Sequence, residues 1–242
     1  MGGMRGYTAE QVRAAEAPLL AAGVPLMARA AAGLADVVSS EVSTRGVRVR
    51  DARVLLLVGS GNNGGDTLFA GSLLAGRGAH VSYLPLGSRV HAAGEEAALA
   101  AGVERVVDAP GSAGFHAVLD EADAILDGIV GIGAAGAGAA GAGASGASGA
   151  GASGAVRLRE TARTVVMFAR ERVLEREGRL PVTFAVDVPS GIHPDTGDAD
   201  PDAVLPADVT VTFGACKAGL LRAAPELVGR IELVDIGLGL AP

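Results

Sequence analysis

The chain carries a single cysteine, Cys216, among its 242 residues, so it can form neither an intramolecular disulfide nor a cysteine-based zinc cluster. A reducing compartment is the simplest expectation. Arg13 and Glu16 interrupt the N-terminal region where a secretory leader would need a continuous apolar stretch. No run of roughly 18 apolar residues free of glycine clusters occurs, so no transmembrane helix is expected and the cytoplasm is the expected location. Basic residues are in deficit, 20 against 27 acidic, for a net charge of −7. That balance argues against a nucleic-acid partner, whose phosphates call for a basic surface. It leaves a nucleotide ligand open, because backbone N–H groups hold phosphate without Lys or Arg. The four histidines (His80, His91, His116, His193) lack metal-ligand spacing and read as surface or core fillers.

What the chain does have is apolar side chain, 49% of its residues, enough for a sizeable core. Thr8-Ala-Glu-Gln11 has the form of a capping box opening a helix. A second, Ala- and Leu-rich helix is predicted from about Pro25 to Val42. Val54–Val58 is a short continuous apolar run ending at glycine, as in a strand covered on both faces. Alternation follows: helix over Gly65–Ala75, strand over Val81–Leu86, helix over Ala92–Ala101, strand over Ala124–Leu126. Ala162, Val165, Val166, Ala169 and Val173 then recur at helical spacing. Strands at Val182–Val188, Val209–Phe213 and Ile231–Val234 complete the series. Alternating βα units predict an α/β fold, a mostly parallel sheet with helices on both faces, in one domain spanning 1–242. Gly133–Ala155 breaks the pattern, since all 23 residues are Gly, Ala or Ser. Nine glycines, each costing about 1 kcal/mol against Ala within a helix, make a flexible insertion the expectation.

Four segments could carry chemistry. Gly59-Ser-Gly-Asn-Asn-Gly-Gly-Asp66 lies between a strand and a helix, where unpaired N–H groups and a partial positive charge suit phosphate. Gly59, Gly61 and Gly64 fit G-x-G-x-x-G, a weak signal alone, and no G-K-[ST] follows to make a Walker loop. A tight turn capped by Asn and Asp is the plain alternative. Ala185-Val-Asp-Val-Pro-Ser-Gly191 ends an apolar strand in Asp187, a costly place for a charge without a task or a partner. In open parallel sheets, ligands bind beyond such strand ends; the competing reading is an Asp that caps the next turn. Asp123-Ala-Ile-Leu-Asp-Gly-Ile-Val-Gly131 puts Asp127 at another strand end, and Thr210–Lys217 delivers Lys217 to the same edge, unless it is a surface lysine.

Together these segments resemble the NAD(P)H-hydrate epimerases, the YjeF N-terminal domain family. The resemblance rests on Asn62-Asn-Gly-Gly-Asp66, the Asp187–Gly191 turn, Thr212-Phe-Gly with Lys217, and Leu26-Met27 before the Ala-rich run, in the family's order. It extends from about Thr8 to Gly237, outside the Gly/Ala/Ser tract. The resemblance implies a Rossmann-like three-layer α/β/α sandwich, usually a homodimer, that interconverts the R and S forms of hydrated NADH and NADPH. It implies that Asn62, Asn63, Gly64, Gly65 and Asp66 contact the substrate, with Gly131, Ile132 and Gly133 in a lining loop running to Ala137. It further implies that Asn63, Asp127 and Ser190 hold a potassium ion, and that Asp187 touches the substrate and transfers a proton, assisted by Lys217. Related chains continue into a dehydratase, so functional pairing with an NAD(P)H-hydrate dehydratase is expected. The chain departs from the family at Thr67, where a glycine is common, at Cys216, where a proline is, and in the loop after Gly131, which dissolves into the tract. Cys216 reads as a packed thiol, since no histidine adjoins it in sequence. Two rivals remain. One is a non-catalytic nucleotide-binding or scaffold domain of this fold. The other is an NAD-dependent dehydrogenase, which calls for a ribose-binding carboxylate about 20 residues past the glycine loop, where Val81–Leu86 offers Ser82 and Tyr83.

Overall fold

Arg53–Val58 forms β1, and every residue in it except Arg53 is buried. Its side chains alternate between two cores: Val54, Leu56 and Val58 enter one, Leu55 and Leu57 the other. This is the consequence of a strand covered on both faces. On the first side lie α2 (Leu26–Thr44), α3 (Asn62–Gly76) and α4 (Ala92–Ala100); on the second lie α5 (Ala113–Glu121) and α6 (Glu160–Glu175). The computed structural model describes residues 4–132, 147–150, 154, 156–176 and 180–241.

Seven strands form the main sheet, in the order β3-β2-β1-β4-β7-β8-β9, and every neighbouring pair is parallel. Besides β1 they are β2 (His80–Pro85), β3 (Glu104–Arg105), β4 (Ala124–Gly128), β7 (Val182–Val186), β8 (Val209–Phe213) and β9 (Arg230–Val234), with β4 central. The fold is the expected α/β layered sandwich, and the direction of winding reverses between β1 and β4. There the segments that follow the two strands turn to opposite faces of the sheet and leave a crevice above the strand ends. A two-stranded antiparallel pair joins β5 (Ala147–Ala150) to β6 (Val156–Leu158). β5 falls within the Gly/Ala/Ser tract expected to be a loop; apart from it and Gly154, the tract lies outside the described residues.

α1 (Ala9–Ala21) begins with the capping box, the Gln11 N–H donating to Thr8 Oγ1 at 3.2 Å and the Thr8 N–H to Gln11 Oε1 at 2.9 Å. Its inner face presents buried Ala9 and Val12, with Glu16 one turn further on. α3 starts three residues before its expected position, so the Asn62–Asp66 motif is itself the first helical turn. The short β3, α5 and the C-terminal turn α7 (Pro225–Val228) had no counterpart in the sequence reading. No single helix among the described residues is long and apolar enough to cross a membrane.

Candidate active site

The crevice between β1 and β4 is built by glycine. The Gly59 N–H donates to the Gly128 carbonyl at 3.1 Å, tying the two strand ends together. A Cβ on Gly64 would sit 2.2 Å from the Gly59 carbonyl oxygen, so the first turn of α3 lies against the end of β1. Gly61 is the N-cap and supplies no side-chain hydrogen bond. The opening N–H groups of α3 therefore have no side-chain cap, and with the helix dipole they suit an anionic group. Asn62 is exposed at this edge and Asp66 is partly exposed.

Asn63 points inward. It is 8% exposed, and among the described residues neither Nδ2 nor Oδ1 has a hydrogen-bond partner. A Cβ on Gly131 would approach its Cγ to 3.0 Å, so the loop after β4 closes over it. Unsatisfied buried amides are costly, and one at a cleft implies a partner beyond the described residues. Thr67, 0% exposed, donates from Oγ1 to the Asn63 carbonyl at 2.7 Å and holds this turn from beneath.

Asp127, at the end of β4, is 1% exposed. The Ser190 hydroxyl donates to Oδ1 at 2.6 Å, the Ser190 N–H to Oδ2 at 2.8 Å and the Ile129 N–H to Oδ1 at 3.3 Å. Burial pushes this carboxyl above the usual range, while the hydrogen bonds from Ser190 and Ile129 pull it back. No Lys, Arg or His among the described residues forms an ion pair with it. Ser190 is thus bound to Asp127, and its Oγ also accepts the Val130 N–H at 2.9 Å.

Asp187 follows β7 directly and has φ +67°, the one positive φ outside glycine among the described residues. Asp tolerates this left-handed conformation better than most residues. It ends the strand at Val186, two residues short of the expected Val188, while the Asp187 N–H still bonds the Val211 carbonyl of β8 at 2.8 Å. Its Oδ1 is the acceptor for the Lys217 ammonium, the Thr212 hydroxyl at 3.3 Å and the Phe213 N–H at 3.4 Å. Oδ2 takes no hydrogen bond from the described residues.

Lys217 is 1% exposed, which rules out a surface lysine. Its three protons are matched by Asp187, by Thr212 Oγ1 at 3.1 Å and by the Phe213 carbonyl at 2.9 Å. The N-terminal segment covers it: the Tyr7 N–H bonds the Cys216 carbonyl and the Ala218 N–H bonds the Tyr7 carbonyl, both at 2.8 Å. The same segment leads into α1, from which Arg13 reaches the Ile132 carbonyl at 3.1 Å. α1 thereby brings a residue that the sequence reading had not assigned to the site. Glu16 is half-buried there; burial raises its carboxyl, with Lys217 lowering and Asp187 raising it. Burial, then Asp187 and Glu16, hold Asp66 well above the carboxylate range, against a smaller pull from Lys217.

The structure thus brings Asn63, Gly64, Gly65, Asp66, Asp127, Gly131, Ile132, Asp187, Ser190 and Lys217 to one edge of the sheet, and Gly133 lies outside the described residues. Three of the four histidines do structural work, and His80 is exposed: His91 Nδ1 caps α4 at the Gly94 N–H, His193 Nδ1 accepts from the Asp195 and Thr196 N–H groups, and His116 packs on Phe168. Cys216 is 1% exposed, with a thiol pushed up by burial, and so is an unreactive core residue. β2 runs out in Leu84-Pro85-Leu86, without the ribose-binding carboxylate of a dehydrogenase. A cavity of about 420 Å³ opens at the opposite edge of the sheet, between Arg53, His80, Glu104 and Glu121, away from all of these groups.

Fold and crevice together define a doubly wound α/β domain with a ligand site at its topological switch point. The family model described as YjeF-related protein N-terminus matches residues 23–219, and the chain belongs to that family. It is 48% identical over 233 residues to the NAD(P)H-hydrate epimerase of Microbacterium testaceum, covering 96% of this chain and 78% of that protein. It is 43% identical to the NAD(P)H-hydrate epimerase of Clavibacter michiganensis, covering 98% and 92%. A bifunctional NAD(P)H-hydrate repair enzyme of Mycobacterium tuberculosis is 38% identical, over 97% of this chain and 42% of that one. A yeast crystal structure, ynu0, superposes with a TM-score of 0.71 over 99% of this chain and 90% of that one; at 17% identity it bears on the fold alone.

Proposed function

We propose that this chain epimerises hydrated NADH and NADPH, interconverting their R and S forms in nicotinamide cofactor repair. The observation that carries the reading is the buried Asp187–Lys217 pair at the carboxyl edge of the sheet, across the crevice from the uncapped start of α3. The relatives' names supply the substrate class. The opening N–H groups of α3, from Asn62 to Gly64, hold the diphosphate, and the nicotinamide end lies toward Asp187.

The chemistry needs a proton-transfer group and a dry pocket. Hydration places a hydroxyl on C6, beside the ring nitrogen. When the hydroxyl is protonated, the nitrogen lone pair expels it as water and a planar iminium forms. Water returning to the other face gives the opposite epimer, and a carboxylate accepts its proton. Asp187 Oδ2 is the free oxygen placed for this transfer, while Lys217, fully occupied in hydrogen bonds, fixes the carboxylate's position. A non-catalytic scaffold would have no use for a buried ion pair in the crevice, because such a pair is costly to desolvate.

The same reading includes a potassium ion. Asn63, whose buried Oδ1 has no partner among the described residues, Asp127, buried with no cationic partner among them, and Ser190 form an oxygen-donor set suited to a hard monovalent cation. Bound there, the ion would balance the Asp127 charge and hold the loop at Gly131. Binding at a hundredfold excess over Kd stabilises by about 2.7 kcal/mol. The melting temperature should therefore rise when potassium chloride replaces choline chloride at equal ionic strength, and Asn63→Ala should abolish the rise. Identical melting in the two salts would remove the ion from the reading. We also read the chain as a cytoplasmic homodimer working alongside an NAD(P)H-hydrate dehydratase; that relatives are named bifunctional NAD(P)H-hydrate repair enzymes supports a second repair activity beside this one.

The function is tested on one purified hydrate epimer, followed by chromatography with and without protein in potassium buffer. Interconversion is spontaneous but slow, so the expected outcome is a rate well above buffer. A folded protein that leaves the buffer rate unchanged would sink the enzyme reading.

A further inference from the structure

Epimerisation removes oxygen from one face of a planar ring and returns it to the other. A carboxylate fixed in the wall of a cleft reaches one of those faces. Asp187 is so fixed, by its left-handed backbone and by three donors on Oδ1. The reaction proposed above therefore calls for a second proton-transfer group on the other side.

The sheet order places one. β1 and β7 flank β4, so the element that begins after β1 and the residue that ends β7 stand two strand spacings apart, about 9–10 Å. A flat ring with van der Waals contact of about 3.5 Å on each side fits that span. On the β1 side stands Asp66, in the opening turns of α3 and three residues beyond the unpartnered, nine-tenths-buried Asn63. Among the described residues its carboxyl takes part in no hydrogen bond or ion pair, and the same holds for Glu16 on the inner face of α1. These are two carboxyls in one crevice with nothing among the described residues to satisfy them.

We propose that Asp66 is the second proton-transfer group of this site, acting from the opposite side of the crevice to Asp187, with Glu16 as its electrostatic neighbour. The two environments differ as an acid and a base should. Burial and the charges of Asp187 and Glu16 raise the Asp66 carboxyl well above the usual range, whereas Asp187 lies against the Lys217 ammonium. Among the described residues the other charged or titratable groups near Asp66 are Lys217, which favours loss of its proton, and the His91 ring packed on Gly65, with Arg13 acting on Glu16.

The steps balance. Asp66 gives its proton to the C6 hydroxyl, the C–O bond breaks with its electron pair on the departing water, and the ring nitrogen's lone pair forms the iminium. A water attacks C6 from the Asp187 side, Asp187 takes the released proton, and the lone pair returns to nitrogen. Solvent then resets both carboxyls. For the opposite epimer the roles exchange.

The test rests on the epimerase reading and separates its own failure from that one. Each purified epimer is incubated in oxygen-18 water with wild type, Asp66→Asn, Asp187→Asn and Glu16→Gln, and both inversion and label uptake are measured. Wild type should invert and label both epimers. Each Asn variant should lose inversion by about 10²-fold or more. Asp187→Asn should still label, without inverting, the epimer whose hydroxyl faces Asp66; Asp66→Asn should do the same for the other epimer only. Glu16→Gln should stay active, but the alkaline fall in its rate should move to lower pH, because one charge that keeps Asp66 protonated is gone. Inversion by Asp66→Asn at the wild-type kcat, or loss of labelling of both epimers in Asp187→Asn, overturns the proposal and leaves one carboxyl working both faces. A wild type no faster than buffer would instead overturn the epimerase reading beneath it.

Discussion

Lys217→Met is expected to lower the stability of the fold by about 3–5 kcal/mol, the cost of removing one partner of a buried ion pair. The residue is 1% exposed and its ammonium satisfies Asp187, Thr212 and the Phe213 carbonyl at once. Methionine fills similar volume but leaves the Asp187 charge and the Phe213 carbonyl facing an apolar side chain. In a domain of this size that loss corresponds to roughly 6–20 °C in melting temperature. Urea titration or calorimetry reads it directly. The double variant Lys217→Met/Asp187→Asn should recover much of the stability, since the unpaired charge is gone, and none of the epimerase activity. If Lys217→Met melts within about 2 °C of wild type, the ion pair is not the structural centre of the site.

Gly59→Ala should be comparably severe, with the damage concentrated in function. A Cβ there would sit 1.8 Å from the Ile129 carbonyl oxygen and 2.6 Å from its carbon, and backbone cannot move aside as the end of a side chain can. To reach ordinary contact the end of β1 must separate from β4 by more than 1 Å, which opens the crevice where the Asn62–Asp66 turn and the Gly131 loop meet. A displacement of that size costs about 10²-fold in rate, and the overpacking itself about 1–3 kcal/mol. Gly61→Ala is the matched control: among the described residues no atom lies within 4 Å of a Cβ on Gly61, and its φ of −98° suits any residue. It should melt and turn over almost as wild type does. Steady-state rates and melting curves for the pair decide the matter, and equal damage from both would place the constraint in the loop's flexibility.

These two residues also show what the sequence could and could not reveal. The glycines after Val58 were legible as a site because they interrupt an apolar strand before a helix, and Asp187 because a charge at a buried strand end needs a reason to be there. The strand pattern of β1, β2, β4, β7, β8 and β9 was readable from apolar runs, to within two residues at most ends. β3 was not, being two exposed residues with no alternation to detect. α5 was missed because nine residues with a glycine near the start give only Phe115 and Leu119 as a buried pair. The start of α3 was placed late, at Gly65, because Asn62-Asn-Gly64 reads as loop; glycine is needed at 64 and 65 because the Gly59 carbonyl and the His91 ring leave no room for a side chain. Lys217 could be read equally well as a surface lysine, since nothing local announces that the backbone of Tyr7 will lie across it. Glu16 is the instructive failure. In sequence it served only to interrupt an apolar stretch, whereas the fold turns α1 so that the same charge faces Lys217 and Asp66.

The most direct test of the whole account is the inversion rate of a single hydrate epimer, measured side by side for wild type and Asp187→Asn in potassium buffer. Asparagine preserves the shape of the side chain and tolerates the positive φ, so the fold should survive while the proton-transfer group is removed. The account requires wild type to exceed buffer clearly and the variant to fall by about 10²–10⁴-fold. A folded Asp187→Asn that inverts the epimer as fast as wild type would contradict it.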